Sequence, residues 1–137
     1  MKIKIKRIDD AFKLEATNER GNFIHIDGSP AIGGSNSAFR PMEMLLVSVA
    51  GCSAIDVINI MNKQRQTISD FQMEISGEKF EGGTSSPYKS IDVHFIIKGD
   101  IKEQKLNKAM GLTKDKYCSV LHTLRKDCNV NFHFTLI

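Results

Sequence analysis

The stretch from Arg40 to Lys63, RPMEMLLVSVAGCSAIDVINIMNK, constrains this chain more than any other. It predicts one long helix. Pro41 suits a first helical position, because its missing N–H would be unpaired there anyway and its φ is already helical. Glu43 falls in the first turn, where a carboxylate complements the positive end of the helix dipole, and Lys63 and Arg65 fall at the opposite end. Between Glu43 and Asp56 the run MLLVSVAGCSAI carries no charge. That is shorter than the ~20 apolar residues a bilayer requires. A helix apolar on nearly every side belongs in a core. Gly51 mid-helix costs about 1 kcal/mol relative to alanine, so another backbone is expected to approach closely there, beside Cys52.

The remainder of the chain is sized for one domain, residues 1–137. A net charge of +3 with lysines spread along the chain gives no nucleic-acid face, and no membrane partner is expected. The opening MKIKIKRIDD has no apolar core of a signal peptide, which points to the cytoplasm. In such a reducing compartment three cysteines do not form a disulfide scaffold. No CxxC or CxxH knuckle is present.

Strict alternation predicts strands at 2–8 (Ile3, Ile5 and Ile8 inward), 11–17 and 22–27, an antiparallel meander with turns at Asp9-Asp10 and NERG. GSPAIGGSNSAF, residues 28–39, lacks the phosphate-cradling glycine patterns and reads as a flexible connector able to reach a second subunit. Beyond the long helix, residues 67–79 and 88–99 alternate as strands. Asp100 with Glu103 resembles a capping box for a helix 101–110, which Gly111 ends. Thr113 would cap a second helix, 114–126, carrying Cys118 in its middle, and NVNFHFTLI alternates as the last strand. The order βββ-α-ββ-αα-β segregates strands from helices, which is α+β. It predicts two antiparallel sheets around long central helices. The apolar surface of the long helix exceeds what two small sheets cover, so an intertwined homodimer is expected.

Cys52 and Cys118 stand in the two best apolar helices, each followed by serine. Free cysteine often only packs, and Cys128, at a helix-to-strand junction, is read that way. Two such cysteines, each central in a helix and flanked by small or polar residues, weaken the packing reading for this pair. Asp56 lies at i+4 from Cys52 and His122 at i+4 from Cys118, each on its cysteine's face. A carboxylate beside a thiol raises its pKa, so Asp56 suits the binding of Arg20 or Arg40. Cys52, Cys118 and His122 would make a metal set. A histidine in such a helix more often packs or faces solvent, so no metal and no bound cofactor is expected.

RPMEMLLVSVAGCSAIDV followed by YCSVLHTL resembles the OsmC/Ohr family, the osmotically inducible and organic hydroperoxide resistance proteins, over essentially the whole chain. The GCSAID segment is closest to its YhfA-like branch. The resemblance implies an intertwined homodimer with the long helices packed centrally. It implies a thiol-dependent peroxidase acting on organic or hydrogen peroxides, with Cys52 attacking and Cys118 resolving. It also implies an external dithiol reductant, such as a lipoylated protein, and assisting groups among Arg40, Arg20 and Glu43. Arg40 abuts the helix, whereas the family places its arginine earlier, which favours Arg20. Glu43 stands nine residues before Cys52, ~13 Å and half a turn out of phase along one helix. It therefore acts across a dimer or only starts the helix. The alternative is a non-catalytic small-molecule binding or redox-sensing protein of the same superfamily.

Overall fold

The lysine–isoleucine alternation at the start of the chain forms β1 (Ile3–Arg7), antiparallel to β2 (Leu14–Asn18), which pairs antiparallel with β3 (Phe23–Ile26). The computed structural model describes residues 1–137. They divide into two units, Met1–Leu45 and Leu46–Ile137, the division falling within the long helix. Side chains close both turns of the first sheet. Asp9 Oδ1 accepts the N–H groups of Ala11 and Lys13, and Asn18 Oδ1 accepts those of Arg20 and Asn22. Register places Ile3, Ile5, Ala16 and Ile24 on one face. The isoleucines expected to point into a core are instead exposed, Ile3 by 54%, Ile5 by 61% and Ile8 by 40%.

The connector expected to be flexible is organised by one carboxylate. Asp27 is buried and accepts hydrogen bonds from Gly28 N–H (2.7 Å), Ser37 N–H (3.1 Å) and Ser37 Oγ–H (2.9 Å). Asp27 N–H donates to Phe39 O. Gly34 runs so close to the Gly28 carbonyl that a Cβ there would lie inside it. The Ser37 N–H, followed by the other donors, holds the Asp27 carboxyl at about 2, against an ordinary 3.8. A depressed carboxylate stabilises the fold above its unfolded pKa, and that stabilisation is lost as pH falls through the folded value. Acid unfolding is therefore expected to draw on Asp27 between pH 3.8 and about 2. Asp27→Asn should flatten the pH dependence of Tm in that window and lower Tm at neutral pH.

The long helix forms as expected: α1 spans Pro41–Lys63. Arg40 is its N-cap residue, its carbonyl accepting the first helical bond from Met44 N–H. Glu43 Oε2 reaches back to Arg40 N–H at 2.9 Å, the carboxylate half of a capping box. At the other end Arg65 N–H donates to Asn62 O, and Gln66 N–H to Met61 O. That is a Schellman closure, with Arg65 in the left-handed region at φ 56° where glycine is usual. An L side chain there costs about 1–2 kcal/mol, partly offset by the unfolded-state entropy of glycine. Arg65→Gly is expected to stabilise the protein by up to about 1 kcal/mol, measurable as a raised denaturant midpoint.

The second unit holds the core. β4 (Thr67–Lys79) pairs antiparallel with β5 (Tyr88–Asp100), and β5 pairs parallel with β6 (Asn129–Leu136). The second sheet is thus mixed, and the expectation of two antiparallel sheets holds for the first sheet and for β4–β5 alone. Ile91, Val93, Phe95 and Ile97 on alternate positions of β5 are fully buried, and Phe95 meets Phe71 and Phe132 edge to face. The parallel return of β6 requires a crossover, and the helical segment between β5 and β6 supplies it. α2 spans Glu103–Leu112, with Lys102 rather than Asp100 at its N-cap and Asp100 ending β5.

Gly111 does not end this helix. Burial of Leu106, Ala109, Met110 and Thr113 carries it through the glycine into a wider π turn, Thr113–Tyr117, closed by Cys118 N–H to Thr113 O at 3.0 Å. α3 is short, Ser119–Thr123, so Thr113 is not a cap and the helix expected over 114–126 is interrupted at Cys118.

Candidate functional site

α1 shows one narrow line to the interior. Val49, Ser53, Val57 and Met61, four residues apart, are its buried positions. Val47 is 42% and Ile55 70% exposed. Nothing lies within 4 Å of where a Cβ on Gly51 would stand, so no backbone approaches it within this chain. Cys52 is half-buried beside the buried line.

Cys118 comes to this point from the other helical segment. It is the single extended residue between the π turn and α3, at φ −71° and ψ 99°, and is completely buried. The Ser53 hydroxyl lies 3.8 Å from its sulfur. Asp56, one turn beyond Cys52, completes the group: the Cys52 and Cys118 sulfurs and an Asp56 carboxylate oxygen all lie within 4.8 Å of one another. The i+4 spacing that put Asp56 on the face of Cys52 is thus realised. Asp56 Oδ2 is buried with no hydrogen-bond partner, so the pairing with arginine expected from the sequence is not made at this oxygen. Asp56 also borders a cavity of about 360 Å³ lined by Lys63, Lys108, Leu112 and Tyr117 among others.

The two thiols differ in kind. Burial pushes the Cys118 thiol above its ordinary value, and the hydrogen bond and charge of Cys52 push the same way. Backbone and Ser53 hydrogen bonds offset part of this. Cys118 is thus a fully buried thiol with a raised pKa, while Cys52 is half-buried. Both are free thiols. Cys128, just ahead of β6, stands outside the group, and burial raises its pKa as well.

Glu43 is engaged at the start of α1. Arg40 donates from Nη2 to Asn36 Oδ1 at 2.9 Å, and its Nε is buried without a partner. Arg20 is exposed in the turn between β2 and β3. Both arginines and Glu43 belong to the first unit, and both cysteines to the second. His122 is exposed on α3 and is not part of the thiol–carboxylate group, whose third member is Asp56. The unpaired state of Asp56 Oδ2 left no trace in the sequence, because a missing partner is a property of packing.

Known proteins resemble this chain in sequence and fold. The family model described as OsmC-like protein matches residues 34–133. Protein YhfA of Escherichia coli (strain K12) is 35% identical over 118 residues, 85% of this chain and 84% of its own length. The crystal structure of a hypothetical protein from Aquifex aeolicus VF5 superposes with a TM-score of 0.85 at 26% identity, covering 99% of this chain and 95% of that one. The organic hydroperoxide resistance protein OsmC of Legionella pneumophila shares the fold at a TM-score of 0.72 and 14% identity, covering 97% and 94%. The matched segment includes all of α1 and Cys118, and with the YhfA identity it shows that the chain belongs to the OsmC-like protein family.

Proposed function

We propose that this protein reduces organic or hydrogen peroxides by a dithiol–disulfide cycle at Cys52 and Cys118. The observation that carries the reading is the pairing of a half-exposed thiol with a fully buried one, sulfurs within 4.8 Å. The Cys52 thiolate attacks the O–O bond. The bond breaks, Cys52 becomes a sulfenic acid, and the alkoxide leaves as the alcohol on taking a proton. Cys118 then displaces hydroxide from the sulfenic sulfur, forming the disulfide and, with the thiol proton, water. An external dithiol, of the kind a lipoylated protein offers, exchanges with the disulfide and restores both thiols. The position of Cys118 suits its part, because a single extended residue between two short helical pieces shifts without breaking a long hydrogen-bond ladder. The name of the Legionella relative, an organic hydroperoxide resistance protein and predicted redox protein, points the same way.

The active form in this reading is a homodimer in the reducing cytoplasm. A second copy supplies the cover that Ile3, Ile5, Val47 and Ile55 lack in one chain. Exposed apolar side chains within each unit suit an association site. The thiolate also needs a cation nearby. Arg40→Met and Arg20→Met, compared for the rate of Cys52 oxidation, decide which arginine serves, and Glu43→Gln reads whether that carboxylate does more than cap α1.

Steady-state consumption of an organic hydroperoxide with dihydrolipoamide as reductant tests the reading. Turnover that vanishes in Cys52→Ser is expected. Absence of turnover with any dithiol, together with small-molecule binding that survives Cys52→Ser, would establish the alternative of a non-catalytic binding protein. A slow response to peroxide that changes conformation without turnover would establish a redox sensor.

A further inference from the structure

We propose that Cys52, Cys118 and Asp56 form a binding site for a thiophilic divalent cation of the zinc class, with a fourth coordination position open. Three donors of the right chemistry already converge within 4.8 Å. Around a tetrahedral ion with metal–sulfur and metal–oxygen distances of about 2.3 and 2.0–2.2 Å, donor atoms stand roughly 3.5–3.8 Å apart. The group therefore needs to close by about an ångström at its widest. Two thiolates and one carboxylate select zinc over magnesium or calcium, which prefer all-oxygen sets.

A second observation points to a ligand independently of that spacing. Asp56 Oδ2 is buried and accepts no hydrogen bond, an arrangement that is costly for a carboxylate oxygen. A cation supplies the missing partner. Cys52 and Asp56 are half-buried and leave a way in, and the cavity of about 360 Å³ beside Asp56 leaves room for a fourth ligand, water or a substrate atom. The Ser53 hydroxyl, 3.8 Å from the Cys118 sulfur, is placed as a supporting group. The site departs from the metal-free centre expected from the sequence and takes Asp56 in place of the exposed His122.

The ion needs only reduced thiols, so the site stands whether or not the protein turns over peroxide. Ion and disulfide use the same sulfur electron pairs and exclude each other. The protein binds the ion when reduced and releases it when the disulfide forms.

Cobalt(II), then zinc(II), titrated anaerobically into the reduced dimeric or monomeric protein, without peroxide, tests this. Expected are one ion per chain, tetrahedral cobalt bands with sulfur-to-metal charge transfer, and displacement of cobalt by zinc. Cys52→Ser, Cys118→Ser and Asp56→Asn should each weaken binding by more than the roughly 10–100-fold that loss of a supporting residue brings. The two serine variants should also reduce the charge-transfer intensity, and Cys128→Ser should change nothing. Circular dichroism confirms that each variant is folded, and Asp56→Asn, which keeps both thiols, carries the test if a cysteine variant does not fold. Absence of charge transfer, or binding that survives Cys118→Ser or Asp56→Asn unchanged, would overturn the site. Either result leaves peroxide reduction to be judged by its own assay.

Discussion

Cys118→Ser is expected to take up the first equivalent of organic hydroperoxide at the wild-type rate and, given more, to end as a sulfinic acid at Cys52. Without the buried thiol nothing condenses with the sulfenic acid, and the next oxidant molecule carries it up the ladder. Cys52→Ser should instead lower the peroxide reaction by about a thousandfold or more, the scale on which loss of a nucleophile acts. Cys118 remains reduced in that variant because burial keeps it protonated. The same burial gives the cycle a pH dependence. The resolving thiolate grows scarcer as pH falls below the raised Cys118 value, so disulfide formation should slow by up to about tenfold per pH unit. Overoxidation of the wild type should then increase toward lower pH. Mass spectrometry of peptides quenched by alkylation at each pH reads both outcomes.

Ile55→Glu is expected to convert the proposed dimer into a monomer. Ile55 is 70% exposed on a helix whose buried line lies elsewhere. Covering an isoleucine contributes about 1.5–3 kcal/mol. A twofold interface uses each position twice, so the loss is about 3–6 kcal/mol, or roughly a hundredfold to ten-thousandfold in Kd. Gly51→Leu tests whether a second copy packs against α1 at Gly51. Within one chain the added side chain meets open space, so the monomer should fold at least as well as wild type, leucine being the better helix former. Loss of dimer with a retained or raised unfolding midpoint is the expected result, read by light scattering beside thermal denaturation. A wild-type protein that is monomeric at high concentration would remove the dimer from the account.

The long helix was legible because its signals are local. A proline at N1, a glutamate at N3 and the uncharged run from there to Asp56 fix α1 to within one residue of the expected start. The strands at 67–79 and 88–99 were equally legible from alternation. What failed depended on partners distant in sequence. Gly111 looks like a break, yet the burial of Met110 and Thr113 on either side carries the helix past it into a π turn. The parallel direction of β6 is set by the crossover, which alternation does not encode. The connector looked flexible because its glycines and serines are visible, while the four bonds that Asp27 makes are not. At the site, spacing placed Asp56 beside Cys52, and the family resemblance paired Cys52 with Cys118. It did not show that Asp56 Oδ2 is left without a partner, nor that Gly51 is unapproached in a single chain. Both are features of what is missing, which a sequence does not display.

The central claim is that Cys52 and Cys118 are one redox pair. The most direct measurement treats the fully reduced protein with one equivalent of an organic hydroperoxide, quenches by time, and maps thiols and cross-links by mass. The account predicts rapid loss of two thiols and two hydrogen atoms, a Cys52–Cys118 disulfide within one chain, and Cys128 still free. Persistence of both thiols through prolonged exposure, or a disulfide that runs through Cys128, would contradict it.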